Sequence, residues 1–171
     1  MKIPDFEKII KFDTAFLKRI GSIAVIQHLK GMSKGIGPDG KKFKALSRRY
    51  ANAKRKQGAK PIPDYRLSGT LQKDFNYLGG DNLDSGEFVV EIGIEMSKAT
   101  TYPDRDLNTA SVINFLHHGS RDRNIPPRPL YSDKAVLYEG AKKSIVEEIA
   151  SSIAYNIQKE LGGVTVHVIN M

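Results

Sequence analysis

A chain of 171 residues and 19.0 kDa suffices for one ordinary domain. With 40% hydrophobic and 27% charged residues it can build a globular core, and with no cysteine it has no disulfide framework, cysteine nucleophile or thiolate-bound zinc. The net charge of +8 is concentrated: between Lys30 and Lys60 eleven basic residues face one acid, Asp39, so this segment carries +10 and the rest −2.

Taken in chain order, residues 5 to 29 read as a helix. Phe6, Ile9, Ile10, Phe16, Leu17, Ile20, Ile23 and Ala24 recur every three or four positions. The N-terminal stretch lacks a signal peptide's apolar run, so action inside a cell is the expectation. Gly31, Gly35, Gly37, Pro38 and Gly40 then predict a flexible connector. Ser47 caps a short basic helix to about Lys56, with Tyr50 and Ala51 as its apolar contacts, and Gly58 to Pro63 ends it. A second short helix starts near Ser68 and turns Leu71 inward.

The period then changes to two. Phe88, Val90, Ile92 and Ile94 alternate with Val89, Glu91 and Gly93, the pattern of a strand with one buried face. Phe75 and Tyr77 give a shorter alternation upstream, and residues 79 to 86 supply turn residues for a hairpin. Residues 96 to 106 are polar and irregular. Leu107 to His118 predicts a short helix with Val112, Phe115 and Leu116 inward, stopped by Gly119. Three prolines in Ile125-Pro-Pro-Arg-Pro129 exclude helix and impose a stiff extended segment. Ser132 caps the longest helix, some 28 residues and ~42 Å to about Leu161. Its stripe is Ile145, Ile149, Ile153, Ile157 and Leu161. Gly162-Gly163 ends it, and Val164, Val166 and Val168 alternate as a terminal strand over 164–171. No repeat and no apolar run of the ~20 residues that span a bilayer is present. The whole is one domain of α+β class: a small antiparallel sheet packed against helices, with a long C-terminal helix and a terminal strand.

Motifs for catalysis and cofactors fail on their context. Gly35-Ile-Gly-Pro-Asp-Gly40 has dinucleotide-binding spacing, but a helix precedes it where a strand is required, and Pro38 removes a donor. As a phosphate-binding loop it carries Lys42 where magnesium needs a hydroxyl. His117 and His118 point about 100° apart on a helix, which suits helix-end histidines better than one metal site. Asp104 and Asp106 flank Arg105 as turn residues. No G-x-S-x-G elbow occurs. The expectation is no catalytic residue, metal or cofactor. The basic segment remains, with Lys41, Lys42, Lys44, Arg48, Arg49, Lys54, Arg55 and Lys56 as candidates for contact with DNA or an acidic partner. A solvated loop that only aids solubility is the bland alternative.

Three stretches occur in a telling order. Gly40-Lys-Lys-Phe-Lys-Ala-Leu-Ser47 precedes the lysine-rich helix, and Leu67-Ser-Gly-Thr-Leu71 precedes the hairpin. Phe115-Leu-His-His-Gly119 is followed by Ile125-Pro-Pro-Arg-Pro-Leu-Tyr131 and the long helix. Together, over about residues 40 to 160, they resemble the tail-completion, or virion morphogenesis, family of tailed bacteriophages. Members commonly have Ala-Arg-Pro-Phe where this chain has Pro127-Arg128-Pro129-Leu130. The resemblance implies a non-enzymatic virion protein for tail completion and head–tail joining at the neck, assembled in host cytoplasm. The implied form is a homo-oligomeric ring, with a hexamer expected from tail-tube symmetry. Its implied partners are tail tube or terminator proteins and head-completion or connector proteins, with non-specific contact to packaged DNA and none to membrane. Leu67, Gly69, Leu71, Gly119, Pro127, Arg128 and Pro129 then form the structural motif. Val164, Val166 and Val168 are expected at the subunit interface, added as a strand to a neighbour's sheet. A non-specific DNA-binding protein using residues 30–60 is the alternative.

Overall fold

The computed structural model describes residues 12–64, 70–84, 87–102, 107–121, 125–131 and 137–160. Asp13 starts the first helix, α1 (Thr14–Lys34), by accepting the Phe16 amide at 2.7 Å. The expected helix from residue 5 is therefore interrupted at Asp13, while Phe6, Ile9 and Ile10 lie outside the described residues. At its other end α1 runs through Gly31 to Lys34 and is capped by Gly35 at a φ of 68°. Gly31 does not break the helix. The Tyr138 ring lies where a β-carbon on residue 31 would sit, so glycine there makes room for a core aromatic.

The next elements are α2 (Arg48–Lys56), α3 (Thr70–Asp74), the strands β1 (Asn76–Asn82) and β2 (Phe88–Gly93), and α4 (Thr109–His118). The long helix is α5 (Glu139–Glu160). A single 3-10 turn (Met96–Lys98) follows β2. The fold is α+β. β1 and β2 pair antiparallel from Asn76 opposite Gly93 to Asn82 opposite Phe88, with a bulge between Tyr77 and Gly79. Gly79 and Gly80, expected in the turn, belong to β1. A side chain on residue 80 would come within 2.8 Å of the Val89 carbonyl, so the bulged strand needs a bare backbone there.

α1 is the spine. The hairpin lies on one side of it, and α5 runs antiparallel along it, with Gly140 beside Gln27 and Glu148 bonded to Arg19 at 2.6 Å. Phe12, Phe16, Leu17 and Ile20 form one core cluster with Phe88, Val90, Ile145, Ile149 and Ile153 against it. Phe12 and Phe16 stack at 3.9 Å, and Phe88 meets both edge-on. A second cluster joins Val25, Met32, Phe43, Leu71, Phe75 and Leu130. Leu71 thus faces inward as expected. Val112 and Leu116 pack on this cluster, but Phe115 is 40% exposed, so α4 buries a narrower stripe than its sequence predicts.

α5 has 22 residues, about 33 Å, against the 28 expected. Residues 137 and 138 are not helical, so a continuous helix from Ser132 does not form. Tyr138 turns inward instead and donates its hydroxyl to the Ile36 carbonyl at 2.7 Å. Burial, reinforced by the Asp39 carboxylate, pushes this phenol up to about 12, so it remains a donor at neutral pH. Ser132, Ser68 and Gly162-Gly163 lie outside the described residues. Among the described residues, no helix is long and apolar enough to cross a membrane.

Candidate interaction surfaces

The basic segment is ordered by three anchors. Phe43 is buried in the second core cluster, Tyr138 holds the Ile36 carbonyl, and the loop closes on itself. In that loop the Gly37 amide donates to the Lys41 carbonyl and the Phe43 amide to the Gly35 carbonyl, both at 2.8 Å. Ser47 caps α2 as expected, accepting the Tyr50 amide at 3.3 Å. Lys41, Lys42, Lys44, Arg48, Arg49, Arg55 and Lys56 are all exposed on this scaffold. Lys41 lies 3.6 Å from Asp39, and Arg55 donates to Asn52 at 2.7 Å.

Lys54 is the correction. It is 1% exposed, paired with the buried Asp64, and donates to the Ile62 carbonyl at 3.0 Å. It cannot offer its charge to a polyanion. It clamps the segment after α2 onto the helix, and the contact that the sequence assigns to Tyr50 is made by Lys54, with Tyr50 40% exposed. Asp64 was missed because it follows Lys54 by ten residues across Pro61 and Pro63, with no helical or strand spacing to link them.

The predicted structural motif is brought together only in part. Gly119 ends α4 with a positive φ of 75° and donates its amide to Phe115 at 2.8 Å. The proline segment is extended, as expected, and tied to α4 by the Arg128 amide, which donates to the Leu116 carbonyl at 2.7 Å. The Arg128 side chain is buried, Pro129 half-buried and Pro127 exposed. Leu67, Gly69, Val164, Val166 and Val168 lie outside the described residues, as do Asp104 and Asp106.

His117 belongs to this anchoring. Its Nδ1 accepts the Leu130 amide at 3.1 Å, and its ring lies 4.3 Å from that of Tyr131. Burial, and then the neighbouring His118, hold its imidazole below the usual histidine value. The folded chain therefore favours the neutral ring, and its stabilising contribution is complete above the unfolded value near 6.5 and lost as pH falls below it. Urea midpoints should fall on acidification below that value, and His117→Gln should flatten this dependence. An unchanged slope in the variant would remove His117 from the account.

A further polar node, absent from the sequence expectations, joins the hairpin base to α4. Asp74 accepts from Thr109 Oγ1 at 2.6 Å, from the Thr100 amide at 2.8 Å and from Thr100 Oγ1 at 3.1 Å. Burial pushes the Asp74 carboxyl up, but these three donors outweigh it and hold the group below its ordinary value. Among the described residues, no three His, Cys, Asp or Glu side chains cluster where a metal could be held.

Among the described residues, one apolar groove remains open. A groove of about 760 Å³ lies between α1, β2, α4 and the beginning of α5, with Ala24, Phe75, Val90, Ile92, Ile113 and Leu130 among its walls. On α5, Val146 is 64% and Tyr155 66% exposed, as single side chains on opposite sides of the helix. Compared with protein-family models, curated proteins and solved structures, the chain matches none.

Proposed function

We propose that this chain is a structural component of a tailed-phage virion, acting as an oligomeric ring in tail completion and head–tail joining. The sequence resemblance supplies the class. The observation that carries the assembly role is the groove with apolar walls that a lone subunit leaves open between α1, β2, α4 and the beginning of α5. A contiguous apolar groove of this kind marks an association surface. Deleting the gene from its phage should leave filled heads and finished tails unjoined under the electron microscope. Normal yields of joined particles would end this reading.

The second reading, non-specific DNA binding, is favoured by one observation: the basic segment is held in place by Phe43, Tyr138 and the Lys54–Asp64 pair before anything touches it. Within the virion reading, the same surface would face packaged DNA or an acidic neighbour. If it meets phosphates, replacing Arg55 and Lys56 with alanine should lower the slope of log affinity against log salt by about 1 per residue. Gel shifts across a salt series measure this. Equal slopes for both proteins would place these two side chains in bulk solvent.

A further inference from the structure

α2 is exposed along almost its whole length. Lys54 is its one buried residue, and among the described residues no helix or strand packs broadly against it. It is held through Lys54, which pairs with Asp64 and donates to the Ile62 carbonyl. That anchor also fixes which face of the helix looks outward. At about 100° per residue, Arg55, Arg48, Asn52, Lys56 and Arg49 fall in this angular order within an arc of about 120°. Asn52 lies at the middle of the arc, about 160° from Lys54. All five side chains are exposed.

Two pairs of cations therefore flank a small polar residue. Arg48 and Arg55 lie on one side of Asn52, Arg49 and Lys56 on the other, each pair about 10.5 Å apart along the axis. No acid occurs between Lys41 and Lys60 to oppose them. Arg55 donates to Asn52 Oδ1 at 2.7 Å, an exposed contact that a phosphate oxygen can replace.

This layout selects among polyanions. A single strand is held by stacking its bases on aromatic rings. The one aromatic residue of α2, Tyr50, lies about 160° from Asn52, away from the cations. The major groove of duplex DNA, about 12 Å wide, admits a helix of about 10–12 Å with a phosphate rim on either side. The minor groove, about 6 Å wide, does not. A helix seated in the major groove needs cations on both flanks, a small side chain towards the floor, and no element packed along it. α2 meets all three conditions. An acidic protein would be met as well by cations on one flank, and gives no reason for two.

We propose that α2 seats in the major groove of duplex DNA, with Asn52 towards the base edges and the two cation pairs on opposite phosphate rims. This deepens the DNA-contact reading above and rests on it. One asparagine at the floor reads too little to define a sequence, which fits contact without a fixed site.

The chain has no cysteine, so a single one reports its own position. Asn52→Cys and Tyr50→Cys, both at exposed positions, are each mixed with duplexes carrying a disulfide-activated tether. The tether is on cytosine N4, in the major groove, or on guanine N2, in the minor groove. Asn52→Cys is expected to link about tenfold faster to the cytosine tether than to the guanine tether, and about tenfold faster than Tyr50→Cys to the cytosine tether. Gel shifts across a salt series give the second readout. Arg48→Ala and Arg49→Ala, one from each flank, should each lower the slope of log affinity against log salt by about 1. Equal rates for the two tethers, equal or faster linkage from Tyr50→Cys, or an unchanged slope in either alanine variant would each overturn the proposal while leaving DNA contact in place. No shifted complex with the unmodified chain at low salt would overturn both, and would leave an acidic protein as the partner of the basic segment.

Discussion

Asp64→Ala is expected to cost about 3–5 kcal/mol of folding stability. The variant leaves the Lys54 ammonium buried, with the Ile62 carbonyl as a remaining partner, and a buried charge without its counter-ion is expensive. Replacing both partners, as in Lys54→Met with Asp64→Leu, should recover most of the loss, because apolar groups of similar size need no charge compensation. Urea denaturation measures both. The neighbouring Arg55→Ala and Lys56→Ala, on exposed side chains, should stay within about 0.5 kcal/mol. If Asp64→Ala behaved like those surface variants, the pair would not be clamping the segment after α2, and the order of the basic surface would need another cause.

Gly31→Ala is the second large effect, about 2–3 kcal/mol. The added methyl would occupy the space of the Tyr138 ring, which is buried and fixed by its bond to Ile36. Either α1 moves from α5 or the ring leaves the core and the Ile36 carbonyl loses its donor. Tyr138→Leu with Gly31→Ala should cost less than the two single changes added together, because the smaller side chain removes the clash. Strict additivity in that double-mutant cycle would show that the ring and the glycine do not share this space.

What was legible in the sequence was local. Ser47 before a basic run, Gly119 after an apolar one, the alternation of Phe88, Val90 and Ile92, and three prolines from 126 to 129 each act within a few residues. The structure places them as read. The misreadings share another cause: a partner far away in the chain. Gly31 reads as a helix breaker until Tyr138 fills the space beside it, 107 positions later. Gly80 reads as a turn residue until the Val89 backbone comes close. Lys54 reads as one more surface cation until Asp64 reaches it. Of the candidate surface, the basic segment was visible as composition, but its anchoring was not. The groove was not visible at all, since its walls come from elements spread between Ile20 and Ile145.

These corrections sharpen the functional reading. Seven exposed cations, rather than eight, form the candidate polyanion surface, and the eighth holds the segment that follows α2. None of them lines the apolar groove beside β2. A protein that joins like subunits through one surface and meets a polyanion through another needs this separation.

The central proposal, that this chain is a phage virion component, is tested most directly by peptide mass spectrometry on purified, intact particles from the source that encodes it. The account predicts stoichiometric detection at a few copies per particle, beside a far more abundant tube protein. Clean absence from particles whose other minor structural proteins are detected would contradict it.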